Sequence, residues 1–343
     1  MEKGSFLIRD YVPSDDQAVL DLERRCPQGK ELQISFHRQS FLDRSEMYDE
    51  FAVLVGLYEG KLVSVVAGAV KEVLINGKKI RAGYFYDLRV DPEFRNLNLK
   101  IAKTMCLRIT ERISAKADFV YCMIAARNLR ALHLIKRYYE ARIIIPFKFL
   151  VNPVYKLGRT RETVEVVDFV AAHERFLRHN PDRDFYCSPD PGSLPGYVRS
   201  YRTESSLGEA GCSVWSNKNI LGERIECVPK RYDRLRWALK AVSLFMKTPH
   251  IPEIGETLDS WHLFDFYAST PASARELFYQ INNAAFRENK SYVYLPAQES
   301  ENFFPELKKC CWRFSPVIDY FILANGKEVP QKNAKIYIDI RDL

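Results

Sequence analysis

The sequence lacks the features that mark several common classes of protein. It has no run of eighteen consecutive apolar residues, so no membrane span is expected. Its eight cysteines form no CxxC pair, and its six histidines form no HxxxH or HExxH pair, so no metal site is predicted. A polar start leads directly into the strand-like Phe6-Leu7-Ile8, which does not resemble a secretory signal. We therefore expect a cytoplasmic protein with reduced thiols.

Length and composition are those of an ordinary globular protein. The chain has 343 residues, 47% of them hydrophobic and 28% charged, and this length favours two domains. Its net charge of +7 is dispersed, apart from a cluster over residues 230–236. Such a charge favours an anionic partner such as CoA, although a solvated basic surface is an alternative. No basic stripe is interleaved with aromatic residues, so nucleic acid is not an expected partner.

Local signals predict a mixed α/β fold. Glu59-Gly60 and Asn76-Gly77 are hairpin signals that divide the segment 51–90 into three apolar strands. Helical spacing follows over residues 97–115, and the apolar run 119–125 is typical of a buried strand. A helix over 128–139 and a strand over 143–151 end this unit.

The second half of the chain repeats this plan loosely. Strands are predicted over 163–169, 212–215, 224–228, 262–268 and 291–295, and helices over 170–179, 232–246, 272–288 and 303–309. Two last strands, 317–323 and 335–340, are predicted to close the sheet. We place the boundary near residues 153–161, giving domains 1–155 and 156–343. The predicted fold class is α/β (α+β), with two tandem mixed-sheet modules and helices on both faces.

The segment 87–100, with the sequence DLRVDPEFRNLNLK, is the most informative stretch. It resembles the strand–loop–helix motif of the GNAT (GCN5-related N-acetyltransferase) superfamily, in which V-x-P-x-x-R runs into R/Q-x-x-G-x-G/A. In that family, N–H groups at the helix N-terminus bind the pyrophosphate of CoA. The resemblance implies that the cofactor-binding residues are Leu88, Arg89, Val90, Arg95, Asn96, Leu97, Asn98, Leu99 and Lys100.

This loop departs from the family pattern at its two glycine positions, which hold Asn98 and Lys100. Asparagine tolerates left-handed backbone geometry better than most residues. Lysine adds bulk but also a positive charge beside a phosphate site. Two alternatives therefore stay open: the loop binds CoA with reduced affinity, or it is a strand–turn–helix connection without a ligand.

A second match to the GNAT pattern opens the helix that follows strand 119–125. Asn128 and Ala131 fit the family's N-x-x-A segment, which implies that they line the other side of the cofactor. A tyrosine seven residues after the asparagine often protonates the leaving thiolate in that family, but Ile135 occupies the position here. Tyr138 and Tyr139, one turn further on, are the substitutes, with simple packing as the alternative role.

A general base should deprotonate the acceptor amine, and two carboxylates are candidates. Asp87, in the strand expected to face the thioester, is the first, and Glu23 in the first helix is the second. Burial within Tyr84-Phe85-Tyr86-Asp87 is expected to raise the pKa of Asp87, which would suit it to base catalysis. The alternative is a paired structural carboxylate.

Four further segments, 149–155, 212–215, 248–252 and 336–343, resemble in order the plant HOOKLESS-type N-acetyltransferases, which also have a GNAT module followed by a C-terminal half. The second module lacks the R/Q-x-x-G-x-G pattern after its strand 262–268; there, Ser269 or Thr270 is placed to cap the next helix. The resemblance thus implies a tandem protein whose only acetyl-CoA site lies in the first module.

The leading hypothesis is an N-acetyltransferase that moves acetyl from acetyl-CoA to an amine, small-molecule or peptide, by direct attack. A rival hypothesis is a binding or regulatory protein that kept the fold and lost turnover. A third is a transferase of longer acyl chains or of aminoacyl groups, because paired GNAT modules also serve those reactions.

Overall fold

The computed structural model describes residues 5–29, 31–95, 100–138, 141, 143–155, 164–188, 190–230, 236–238, 241–242, 248–249, 252–313, 315–331 and 333–343. Most of the predicted helix 232–246 lies outside these residues. No helix within them is long and apolar enough to cross a bilayer.

Fifteen strands of the described chain form two sheets, one of twelve strands and one of three. Their bounds are β1 Phe6–Asp10, β2 Gln33–His37, β3 Glu50–Tyr58, β4 Lys61–Ile75, β5 Lys78–Val90, β6 Phe119–Ala125, β7 Ile143–Pro153, β8 Glu165–Val167, β9 Tyr197–Ser205, β10 Gly208–Ser216, β11 Gly222–Cys227, β12 Thr257–Leu258, β13 Trp261–Ala268, β14 Tyr292–Ala297 and β15 Val317–Gly326. The helices are α1 Asp16–Arg24, α2 Ile101–Ser114, α3 Leu129–Tyr138, α4 Phe169–His179, α5 Lys218–Leu221, α6 Pro271–Arg287 and α7 Phe304–Cys310. The predicted mixed α/β fold is confirmed.

The large sheet has an internal symmetry in its strand order, β1-β3-β4-β5-β6-β15-β7-β14-β13-β10-β9-β8. Each half of the chain contributes six strands. Five strands of the first half follow in order from one edge towards the centre, β1-β3-β4-β5-β6, and five strands of the second half follow in order from the other edge, β8-β9-β10-β13-β14. At the centre the last strand of each half crosses over: β15 lies between β6 and β7, and β7 lies between β15 and β14. Each half therefore completes the sheet of the other. The division into domains 1–155 and 156–343 stays a prediction.

Helices cover both faces of the sheet in the first half. Helix α1 buries Val19 and Leu22 against one face, and α2 buries Ile109 and Ile113 against the other. Helix α2 packs closely because the strand beneath it carries Gly68, where an added Cβ would lie 2.9 Å from the Ile113 side chain. In the second half, α6 packs on β10, β13 and β14 in the same way.

Of the two strands predicted at the end of the chain, one is confirmed and one is wrong. The strand 317–323 is present as β15, in the middle of the large sheet. Segment 335–340 is not a strand: it makes one isolated bridge, at Ile336, and turns into a 3-10 helix over Ile340–Asp342. Its alternating apolar pattern is real, but the Ile336 N–H donates to the Gln298 side chain at 2.8 Å instead of to a neighbouring strand.

The sequence pattern also does not predict β2 and β9. Strand β2 pairs with β11 of the second half, so the small sheet β12-β11-β2 joins the two halves a second time. The predicted capping role of Thr270 is confirmed, because its hydroxyl accepts the Ser273 N–H at 3.0 Å. The sheet, its crossed strands and this small sheet together frame the region where the predicted site residues lie.

Candidate active site

The candidate site lies where two parallel strands of the first half separate. Strands β5 and β6 pair only from Ala82–Phe119 to Tyr84–Tyr121, although β5 continues to Val90 and β6 to Ala125. Beyond Tyr84, β5 and β6 no longer form backbone pairs, although both strands continue. The predicted site residues Leu88, Arg89 and Val90 lie on this separated part of β5, and we call the gap the first opening.

Asp87 lies at an irregularity in β5. Its backbone is left-handed, with φ of 51°, inside a strand. The pairing of β4 with β5 shifts at this point, between Val65 and Ala67. A bulge of this kind bends and twists a strand and re-aims its side chains. The separated part of β5 therefore contains a bulge that affects where its side chains point.

A buried arginine joins the two predicted carboxylates. The Arg38 guanidinium donates to Glu23 from Nε at 2.8 Å and from Nη2 at 2.5 Å, and its Nη2 also donates to Asp87 Oδ2 at 3.1 Å. Arg38 also stacks on the Phe41 ring, with Cζ 4.5 Å from the ring centroid. The structure therefore brings Glu23 and Asp87 together on one arginine.

Two more arginines surround the same pair of carboxylates. Arg44 donates to Asp87 Oδ1 at 3.5 Å and lies over the Tyr86 ring. Arg89 Nη2 lies 3.6 Å from Asp87 and 3.7 Å from Glu23, so its ion pairs are longer. With three arginines and two carboxylates, this group carries one net positive charge. We call it the arginine cluster.

The expectation of a raised pKa for Asp87 is wrong. Burial does favour its neutral form, but the charges of Arg38, Arg44 and Arg89 outweigh burial and lower the pKa of Asp87 to about 2. The carboxylate is therefore ionised and a weak base. This finding favours the paired, charge-organising role over proton abstraction by Asp87 itself.

Lys100 begins helix α2, at the edge of the first opening. Its backbone is left-handed, with φ of 52°, and its own side chain makes no capping hydrogen bond with the helix. This is the conformation that a glycine in the family motif would adopt without strain. The sequence departs from the motif at this position while the backbone keeps its geometry. The predicted residues Asn96, Leu97, Asn98 and Leu99 lie outside the described residues.

Arg95 and Val90 meet at the end of β5. Arg95 Nε donates to the Val90 carbonyl at 2.8 Å, and the buried thiol of Cys26 donates to the same oxygen at 3.3 Å. Arg89 Nη1 approaches the Leu88 carbonyl at 3.4 Å. These contacts hold the separated end of β5 in place beside the loop that leads to α2.

Helix α3 carries the other predicted residues. Asn128 caps it, accepting the Ala131 N–H on its side chain at 3.2 Å. Ile135 is buried in the core between α2 and α3. The Tyr138 ring lies against Lys103 of α2, with Nζ 4.4 Å from the ring centroid. Tyr139 lies outside the described residues.

The second half contains counterparts of two parts of this arrangement, the separated parallel strands and the left-handed aspartate. Strands β13 and β14 pair in parallel only at Trp261–Val293 and His262–Tyr294 and then separate. Asp265 is left-handed, with φ of 49°, and is buried like Asp87. Its partners differ, since His173 Nδ1 lies 2.7 Å away and the Tyr337 hydroxyl donates at 3.0 Å.

Protein fills the opening in the second half. Segment 336–338 lies between the separated strands β13 and β14, and the cavity left there is about 40 Å³. A water molecule occupies about 30 Å³ in the liquid, so this space holds one or two waters. The second opening is therefore too small for a cofactor arm.

Sequence reasoning missed Arg38 and Arg44. Both lie in a connection before β3 that carries no family motif, and their burial depends on carboxylates from distant parts of the chain. The only local signal is the position of Arg38 between the aromatic residues Phe36 and Phe41, which stack on its guanidinium.

Comparison with known proteins shows the fold. No family model matches the chain, and no curated protein matches it by sequence. Among solved structures, the Saccharomyces cerevisiae N-myristoyltransferase with bound myristoyl-CoA is 10% identical over 99% of this chain and 86% of its own, with a TM-score of 0.59. A Pyrococcus horikoshii protein assigned as an acetyltransferase is 12% identical over 100% and 96%, with a TM-score of 0.55. The chain has the GNAT fold over its whole length; the HOOKLESS-type resemblance stays a prediction.

Proposed function

We propose that this protein is an acyl-CoA-dependent N-acyltransferase with its donor site in the first opening and acetyl-CoA as the cosubstrate. The observation that carries the proposal is the separation of β5 from β6 beyond Tyr84, beside the left-handed Asp87. The second half has the same left-handed aspartate and separated strands, but there segment 336–338 lies between them. The GNAT fold, which solved acyltransferases share, supports the same assignment.

The residues at the first opening suit a CoA thioester. Backbone N–H groups between Leu88 and Val90, on the edge that β6 leaves free, are placed to stabilise negative charge on a carbonyl oxygen. Lys100 at the start of α2, together with Arg95, supplies positive charge for the phosphates, and a helix N-terminus favours anions in general. A thioester supplies an electrophilic acyl carbon for attack by an amine.

The two carboxylates take different roles in this proposal. Asp87 is held ionised by three arginines and fixes the arginine cluster beside the separated strand. Glu23, on α1, approaches the same site from the other side of Arg38. We assign proton acceptance to Glu23 and not to Asp87, since a base with a pKa near 2, such as Asp87, takes a proton poorly at neutral pH.

A tyrosine at the end of α3 is the proposed donor of a proton to the leaving thiolate. The Tyr138 ring lies against Lys103 between α2 and α3. We keep Tyr138 and Tyr139 as the proposed acids.

A binding experiment tests the donor site directly. We expect acetyl-CoA to bind in calorimetry and Lys100→Glu to weaken it roughly 10- to 100-fold, because the substitution replaces attraction of phosphate by repulsion. Lys79→Glu is the matched control, since Lys79 is 77% exposed on the hairpin between β4 and β5. If the wild-type chain binds no acetyl-CoA at millimolar concentration, acetyl-CoA is not the donor.

The length of the acyl chain needs its own comparison. One solved structure with this fold contains myristoyl-CoA, and a longer acyl group is the runner-up donor. Titrating acetyl-, octanoyl- and myristoyl-CoA against one protein preparation separates the two. Affinity that rises steeply with acyl-chain length would mean that the donor is a long-chain acyl-CoA and not acetyl-CoA. Equal affinities would mean that the protein recognises the CoA moiety and not the acyl chain.

A further inference from the structure

Glu223 of β11 is a carboxylate without a cationic partner in a part-buried position. It lies opposite Phe36 in the β2–β11 pair. Among the described residues, its one hydrogen-bond donor is the Tyr294 hydroxyl, and no described lysine, arginine or histidine forms an ion pair with it. Burial raises the pKa of Glu223 above its ordinary value. A part-buried carboxylate of this kind usually has a counter-cation.

Aromatic rings surround the Glu223 carboxylate. The Tyr294 ring is 4.8 Å from the ring of His262 and 6.0 Å from that of Tyr292. Burial raises the pKa of Tyr320, and the nearby charge of Glu223 raises it further. Aromatic faces attract organic cations, most strongly where water is partly excluded.

His262 does not supply the missing positive charge. Burial lowers the pKa of His262 to about 4, so the ring is neutral at physiological pH. Its Nδ1 is buried and has no hydrogen-bond partner among the residues that the structure describes. Arg127, which acts on Tyr320 electrostatically, makes no ion pair with Glu223 in the described structure. Within the described residues, the charge at Glu223 thus has no counter-cation.

The Glu223 site is next to the arginine cluster. Phe36, its cross-strand neighbour, has its ring centroid 5.8 Å from Cζ of Arg38 and 5.9 Å from Cζ of Arg89. Neighbouring Cα atoms in an antiparallel pair are about 5 Å apart. Glu223 is thus within the length of a short alkyl chain from the first opening. Glu223, His262, Tyr292 and Tyr320 each keep part of their surface exposed.

We propose that Glu223, Tyr294, Tyr320 and His262 form a subsite for a primary ammonium group on the acceptor, so that the acceptor carries a second alkylammonium besides the amine that is acylated. The assignment of this cation to the acceptor rests on the proposed function. An α,ω-diamine and a peptide with a lysine near its reacting amine both have this chemistry.

Binding without turnover tests the subsite. We expect 1,4-diaminobutane and its longer homologues to bind in ligand-observed NMR, and Glu223→Gln to weaken them roughly 10- to 100-fold. n-Butylamine, with one ammonium group, should bind the wild-type chain more weakly than the diamine but lose a similar factor in Glu223→Gln, because its ammonium occupies the same subsite. Glu226→Gln is the matched control, because Glu226 lies on the same strand and has Arg224 and Ser35 as partners. Glycyl-lysine amide in the same titration distinguishes a peptide source from a free diamine.

The outcome is independent of the donor site. Glu223→Gln should leave acetyl-CoA affinity unchanged and should not lower the melting temperature, since it removes an uncompensated charge. Equal diamine affinity for Glu223→Gln and wild type overturns the subsite, and so does a wild-type chain that binds no diamine at millimolar concentration. Failure of CoA binding with a retained Glu223 effect would overturn only the proposed function.

Discussion

At the scale of single residues, the site is organised by charge pairs rather than by a catalytic motif. Asp87 holds a left-handed backbone position in a strand, and three guanidinium groups converge on its side chain. Asparagine is close in shape and tolerates the same backbone. The substitution Asp87→Asn therefore removes the charge with little change in geometry, and it separates what the charge does from what the bulge does.

We expect Asp87→Asn to destabilise the fold by about 3–5 kcal/mol, because it leaves buried arginines short of a partner. Folded Asp87 has a pKa of about 2, below the unfolded value of about 3.9, so the unfolded state takes up the proton first as pH falls. Its stabilisation is complete above about pH 4 and is lost towards pH 2. Urea unfolding of both proteins between pH 3 and 7 measures the difference.

Asp265→Asn provides the matched control, as it changes the equivalent left-handed aspartate of the second half. Acyl transfer should fall in Asp87→Asn and persist in Asp265→Asn. Equal activity of both variants and wild type would remove the arginine cluster from the proposed mechanism.

At the scale of elements, local signals were enough for some parts of the fold and not for others. The hairpins at Glu59-Gly60 and Asn76-Gly77 were predictable because a two-residue turn joins strands that are adjacent in sequence. The position of β15 in the sheet was not predictable, because its neighbours β6 and β7 are far from it in the sequence. Strand β2 escaped prediction for the same reason, because its partner is β11.

The residues of the candidate site likewise fall into those that a local motif predicts and those that it does not. The Val90-to-Lys100 stretch and Asn128 were identifiable from a contiguous motif, and Lys100 takes a left-handed backbone at a position where the motif has glycine. Arg38 and Glu223 carry no such pattern. Their roles depend on tertiary contacts among β2, α1, β5 and β11. Contacts between elements so far apart in the chain cannot be inferred from a single sequence.

The crossed strand β15 predicts that the two halves unfold together. Ile322 is fully buried between Met123 of β6 and Ile145 of β7. We expect Ile322→Ala to cost about 2–5 kcal/mol through lost burial and the cavity left behind. The midpoint in urea should fall equally for tryptophan fluorescence, which reports the second half, and for amide exchange in β4 and β5.

Leu129→Ala is the control for that experiment, because Leu129 is 71% exposed and its truncation should change stability by less than about 0.5 kcal/mol. Separate transitions for the two halves of the Ile322→Ala variant would show that β15 is an attachment and not a shared core strand.

At the scale of the whole molecule, the last residues of the chain connect both openings. Ile336 lies in the second opening, and six residues later Asp342 reaches the core of the first half. There the Asp342 carboxylate accepts from Lys71 Nζ at 2.8 Å and from the hydroxyls of Tyr48 and Tyr121. One segment thus closes the second opening and supplies a buried charge to the half that contains the first.

This connection predicts energetic coupling between residues far apart in sequence. Lys71→Met and Asp342→Asn should each destabilise the protein by about 3–5 kcal/mol, because each leaves a buried charge short of a partner. The double variant should be less unstable than the sum by roughly 1–3 kcal/mol. The exposed pair Lys79–Glu72, at 4.0 Å, should show almost no coupling in the same cycle. Additive losses of stability for the Lys71 and Asp342 variants would mean that the last segment packs on the first half without stabilising it. Energetic coupling between the two residues would mean that the segment that fills the second opening also stabilises the half that contains the first.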